Sequence, residues 1–77
     1  MKTLITFNKA AFKHGVTEVD IRKAFLTYKL DMAIEDETEK FVLVGFDTNA
    51  NLLEVMYNID DDDTIEVFHA MKCCKKY

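Results

Sequence analysis

A chain of 77 residues, 49% hydrophobic, with six Phe, two Gly and no Pro, has room for a single domain over 1–77 and is too poor in Pro and Gly for a linker or a disordered segment. Its apolar content suffices for one core without metal or disulfide staples, although a domain this small buries only roughly 60% of the surface its unfolded chain exposes. The net charge is −4, and no apolar run approaches the roughly 18 residues of a membrane helix, which excludes such a span.

Lys2 to Phe7 alternates β-forming residues and predicts a short first strand. Asn8 is a capping residue, Lys9 to His14 are helix formers, and Gly15 stands where a left-handed glycine ends a helix. Thr17 opens a second helix: Asp20 follows at capping-box spacing, and Val16 and Ile21 occupy the two positions of a hydrophobic staple. Ile21, Ala24, Phe25 and Tyr28 then repeat at i, i+3, i+4 and i+7, giving one apolar face. Asp31 to Ile34 reads as a short edge strand and Glu35 to Glu39 as a charged loop.

Lys40 to Phe46 is a strongly apolar strand, 47–51 carries hairpin turn chemistry, and Leu52 to Ile59 is the return strand. On the return strand Leu53, Val55, Tyr57 and Ile59 share one side, with Glu54 and Asn58 on the other. Asp60 to Asp63 forms a second turn; Thr64 to His69 a further strand with Ile65 and Val67 on one side; and Ala70 to Tyr77 a closing helix. The expected class is α+β: a small three- to four-stranded antiparallel sheet with two N-terminal helices and one C-terminal helix packed on it. Phe41, Leu43, Val55 and Ile65 are expected in the core, whereas Leu52, Met56 and Phe68 fall on the opposite sheet face and, if exposed, would suit a partner or a second copy.

The N-terminal Met-Lys-Thr-Leu-Ile-Thr-Phe-Asn-Lys has neither a long apolar stretch nor a small-residue cleavage site, so no signal peptide is expected. The only cysteines, Cys73 and Cys74, are adjacent and could bridge only in a strained ring; two free thiols point to the cytoplasm. Charge is segregated along the chain. Residues 1–30 carry a net +4, residues 31–66 a net −11 and residues 67–77 a net +3.

Lys13-His14-Gly15-Val16, the amphipathic helix that follows, Glu39-Lys40-Phe41-Val42-Leu43-Val44-Gly45, Leu52-Leu53-Glu54-Val55, and Ile65 to Ala70 running into a basic end at Tyr77 together resemble the BrnT-like toxins. Each motif is short; the resemblance lies in their ordered succession across nearly the whole chain. It implies a fold similar to the RelE-type ribonuclease toxins, RNA cleavage without a cofactor or metal, and neutralisation by a small antitoxin protein. The sequence also departs from that pattern. No tryptophan stands near the start, with Phe7 its nearest counterpart, and the first and last helices are short. Glu66 and Met71 stand where arginine is usual, and His69 where a small hydroxyl residue is more common. These departures leave the fold intact and bear on the chemistry, so the expectation is a toxin-family domain of a type II toxin–antitoxin system with weakened or lost RNA cleavage. The alternative is a non-catalytic protein-interaction module of the same fold.

Metal-independent cleavage of RNA needs a base for the 2′-hydroxyl, cations for the phosphate and an acid for the leaving oxygen. His14 and His69 supply imidazoles, and Lys13 and Lys40 supply charge. RNA binding would draw on Lys9, Arg22, Lys23, Lys72, Lys75 and Lys76. Against these stand ordinary roles: a helix-capping His14, a half-buried strand His69, a solvated Lys40. The four successive aspartates from Asp60 lack the alternating spacing and central glycine of a calcium loop and read as a solvated turn, with no metal expected. Partners implied are an RNA substrate, a small antitoxin and a second copy of the chain as a homodimer; no membrane is expected.

Overall fold

Two apolar strands joined by a polar turn form a hairpin, and the rest of the sheet is built outward from it. The computed structural model describes residues 4–34, 40–60 and 62–72. The chain runs through β1 (Ile5–Phe7), a 3-10 helix (Lys9–Phe12), α1 (Glu18–Leu26), β2 (Leu30–Ala33), β3 (Lys40–Phe46), β4 (Leu52–Ile59) and β5 (Ile65–Lys72). The sheet has five strands in the order β1-β5-β4-β3-β2. β1 lies parallel to β5 and every other neighbouring pair is antiparallel, so the sheet is mixed.

Strand register sorts the side chains onto two faces. Leu43 opposite Val55, Gly45 opposite Leu53 and Ala70 opposite Val55 share the face on which α1 and the 3-10 helix lie. Ala11, Val16, Ile21 and Ala24 from the helical segments meet Leu43, Leu53, Val55, Tyr57, Val67 and Ala70 there, and Phe25, Phe41 and Ile65 pack against that cluster. Tyr57 sits between two rings, Phe41 stacked at 5.3 Å and Phe25 edge-on at 5.2 Å, and its hydroxyl donates to Asp31 Oδ1 at 2.6 Å. Burial, reinforced by that bond to an anion, holds the Tyr57 hydroxyl well above its ordinary pKa. Val42, Leu52, Met56, Phe68 and Met71 belong to the other face and are half-buried.

α1 begins and ends as its local chemistry dictates. The Thr17 side chain accepts from Asp20 N–H at 3.2 Å, and Val16 and Ile21 are both buried. Thr27 closes the helix: its hydroxyl donates to Lys23 O at 2.8 Å and accepts from Phe46 N–H at 3.0 Å, which stitches the helix end to β3. Tyr28 therefore lies beyond the helix and is 55% exposed, not part of its apolar face. At the other end Asp20 Oδ1 accepts from Thr48 N–H at 3.1 Å and from the Thr48 hydroxyl at 2.7 Å. In the same hairpin loop the buried Asp47 carboxylate accepts from the backbone N–H groups of Asn49 and Asn51, both at 2.8 Å.

The hydroxyl of Thr48, followed by its backbone N–H and the Thr17 hydroxyl, draws the Asp20 carboxyl below its ordinary pKa against a smaller opposing effect of burial. A depressed carboxyl contributes stability that is present above the ordinary carboxylate range and lost as pH falls below it. The difference in urea midpoint between wild type and Asp20→Asn is therefore expected to be largest near neutrality and to shrink as the pH is lowered from about 6 to about 3. A difference that stayed constant over that range would show that ionised Asp20 is not what ties the loop to the helix.

Two expected helices are corrected. The first is a 3-10 turn of four residues, since the segment between Asn8, whose side chain accepts from Ala10 N–H at 2.9 Å, and the turn at Gly15 is too short for an α-helix to establish itself. The closing helix does not begin at Ala70. Residues Ala70–Lys72 continue β5, where Ala70 is buried opposite Val55 and the ladder overrides local helix preference. The rest of that expected helix, 73–77, lies outside the described residues, as do Lys2 and Thr3 of the expected first strand and the loop at 35–39. The architecture is thus one α-helix and one 3-10 turn on a five-stranded mixed sheet, not three helices on a three- or four-stranded antiparallel one; the α+β class stands. Among the described residues no helix is long and apolar enough to cross a membrane.

Candidate functional site

The side chains able to do chemistry come together where β5, β4 and the turn after the 3-10 helix meet. In β4 strict alternation turns Glu54 and Met56 away from the core face that holds Leu53, Val55 and Tyr57. β5 cannot alternate throughout, because Tyr57 pairs with Val67 whereas the preceding Met56 pairs with His69. Phe68 is the surplus residue of a bulge, which re-aims the end of the strand. With Val67 and Ala70 both committed to the core, the bulge puts His69 on the outer face, diagonally across from Glu54.

His14 reaches the same place from the helical side. Lys13 N–H bonds Ala10 O at 3.3 Å and Gly15 N–H bonds Phe12 O at 3.2 Å, winding the chain through a tight turn that Gly15 completes at φ +79°. The 3-10 helix packs on β5, so the turn delivers the exposed His14 ring to within 5.5 Å of the His69 ring, centroid to centroid, with the planes 73° apart. His69 Nε2 lies 4.0 Å from Glu54 Oε2, a contact that becomes an ion pair when the ring is protonated. Both of those side chains are mostly buried, at 26% and 21% exposure. Two imidazoles in contact, one of them beside a carboxylate, form a patch that a single phosphodiester can span, and imidazoles are suited to moving protons near neutral pH.

The other expected site residues are spread over several elements. Lys13 is exposed beside His14, and Lys9 is exposed on the same 3-10 segment. Lys40 lies on the outer face of β3 with Nζ 5.8 Å from the centre of the Phe68 ring, one residue from His69. Arg22 is engaged on α1, with its Nε 2.9 Å from Glu18 and its guanidinium 5.3 Å from the centre of the Phe7 ring. Lys23 is exposed on α1 and Lys72 at the end of β5. Lys75 and Lys76 lie outside the described residues, as do Cys73 and Cys74.

Glu54 was not among the residues singled out by sequence. Alternation placed it on the outer side of its strand, but only the bulge brings His69 to it, and nothing local in the sequence announces that bulge. At the aspartate turn Asp60 N–H bonds Thr64 O at 2.8 Å and Asp62 accepts from Thr64 N–H at 3.2 Å, the economy of a hairpin turn. Among the described residues no group of three or more His, Cys, Asp or Glu side chains is arranged to hold a metal ion. Comparison of the chain with protein-family models, with curated proteins and with solved structures returns no significant match.

Proposed function

We propose that this chain is an RNA-cleaving domain of the toxin class, acting in the cytoplasm, with His14 and His69 as its acid–base pair and with cleavage attenuated by the acidity of the meander around them. The observation that supports this reading is the contact between the two imidazole rings, 5.5 Å apart, although the residues are 55 positions apart in the chain. Lys13, next to His14 in the chain, and Lys40, whose Nζ lies over Phe68, are the expected sources of positive charge for a phosphate. Attenuation follows from the surrounding carboxylates: Glu66 stands on β5, the strand that carries His69, and residues 31–66 carry a net −11. A small antitoxin protein is the partner this reading implies, with a second copy of the chain as an alternative companion.

A second reading, a non-catalytic interaction module, has its own support. Val42, Leu52, Met56, Phe68 and Met71 give the outer sheet face an apolar, half-buried character, while α1 and the 3-10 helix pack on the opposite face. Induced expression in a bacterial host separates the two. An active toxin arrests growth and shortens messenger RNA, the pure protein degrades RNA, and His14→Ala relieves both effects. Unaffected growth together with intact RNA would sink the catalytic reading and leave the module, whose partner would then be sought by size exclusion after co-expression with the neighbouring reading frame.

A further inference from the structure

RNA cleavage by two imidazoles demands that they begin in opposite states. The base must be neutral, so that it can take the 2′-hydroxyl proton as the 2′-oxygen bonds to phosphorus. The acid must carry a proton to hand to the 5′-oxygen as the P–O5′ bond breaks. The products are a 2′,3′-cyclic phosphate and a free 5′-hydroxyl; the base ends protonated and the acid neutral, and solvent exchange restores both. Nothing in the chemistry of two isolated histidines decides which is which.

Their surroundings here set them apart. His69 lies 4.0 Å from Glu54, and both side chains are largely withdrawn from water, where a carboxylate acts on a neighbouring cation with less screening. Glu54 is held in place by its own strand, between the buried Leu53 and Val55, so its carboxylate is confined to the His69 side of the sheet. His14 is exposed, and among the described residues it has no carboxylate partner. We infer that Glu54 is a positioning residue, holding the His69 imidazole in place for its share of the proton transfers, while His14 acts without a carboxylate neighbour. This inference rests on the ribonuclease reading above and adds to it the residue that orients one member of the pair.

The same carboxylate sets a limit on the substrate's approach. A phosphodiester drawn across the two rings must keep its anionic oxygens away from Glu54. Glu54 therefore acts on the chemical step, and its removal is expected to lower turnover without weakening substrate binding.

The test compares the full chain as wild type, Glu54→Gln and Glu54→Asp on an RNA oligonucleotide, with urea midpoints recorded to show that each variant is folded. Glu54→Gln is expected to lower kcat by at least about tenfold with KM unchanged or reduced, and Glu54→Asp to recover part of the loss. A neutral amide also removes the ionic partner from beside one ring only, so the Cε1–H NMR resonance of His69 is expected to move more than that of His14. Undiminished kcat in Glu54→Gln, or a His69 resonance that does not respond, would overturn the positioning role and leave the ribonuclease reading standing. A wild-type protein that cleaves no RNA would remove the ribonuclease reading itself, and with it the role of Glu54.

Discussion

Replacing Gly45 by valine is expected to remove a large share of the protein's folding stability. Gly45 lies in β3 opposite Leu53, on the face that α1 covers, and a Cβ built there would stand 2.9 Å from the Ala24 Cα and carbonyl carbon and nearer still to the Ala24 oxygen. All of these are backbone atoms, so no side-chain rotation relieves the clash. Nor can the helix back away cheaply, since Ile21 and Ala24 are fully buried and Thr27 bonds the last residue of β3. Overpacking a rigid site of this kind costs about 3 kcal/mol or more. A domain of this size has a total of roughly 4–12 kcal/mol. Valine is a strong strand former, and at an open strand position it would raise stability by up to about 1 kcal/mol. The sign of the change therefore separates close helix–sheet approach from strand preference. Gly45→Ala should already lower the urea midpoint severely, and a wild-type midpoint in that variant would contradict the packing of α1 on β3.

The largest expected effect on activity belongs to the histidine pair. If the proposed reaction runs, His14→Ala and His69→Ala should each lower kcat by roughly 10²- to 10⁴-fold. The double variant should be little worse than the poorer single one, because base and acid serve one concerted displacement and the loss of either already disables it. Neither substitution empties the core: His14 is exposed, and His69 lies on the outer face. Thermal midpoints of all three variants should therefore stay close to wild type, which separates lost chemistry from lost structure. Effects that multiplied across the double variant would mean that the two rings act in separate steps, despite their contact.

Local signals made much of the fold legible in the sequence. The limits of β3 and β4 follow from a long apolar run, a polar turn and strict alternation, all readable within a few residues. Thr17 as a helix cap and Val16 with Ile21 as a buried pair follow equally from short-range spacing. Longer-range pairings were not readable. β1 lies beside β5 across nearly the whole chain, with Ile5 opposite Ile65, and no local pattern encodes a parallel partner that far away. Ala70 to Lys72 carry helix-forming residues yet finish a strand, because Val55 and Leu53 are already waiting opposite them. The candidate site divides the same way. His14 and His69 were visible as residues suited to proton transfer, whereas Glu54 became visible only once two strands were aligned.

A regular strand sends consecutive side chains to opposite sides. The surplus residue in β5 suspends that rule for one step, so Phe68 and His69 both project outward, the first beneath Lys40 Nζ at 5.8 Å and the second beside Glu54 at 4.0 Å. A basic group and an acidic group thus arrive at adjoining positions through a single insertion. Excising Phe68 would mend the ladder and keep the imidazole where it is, yet strip away the shelf on which the lysine rests. Anion and cation at this corner are separable by one codon.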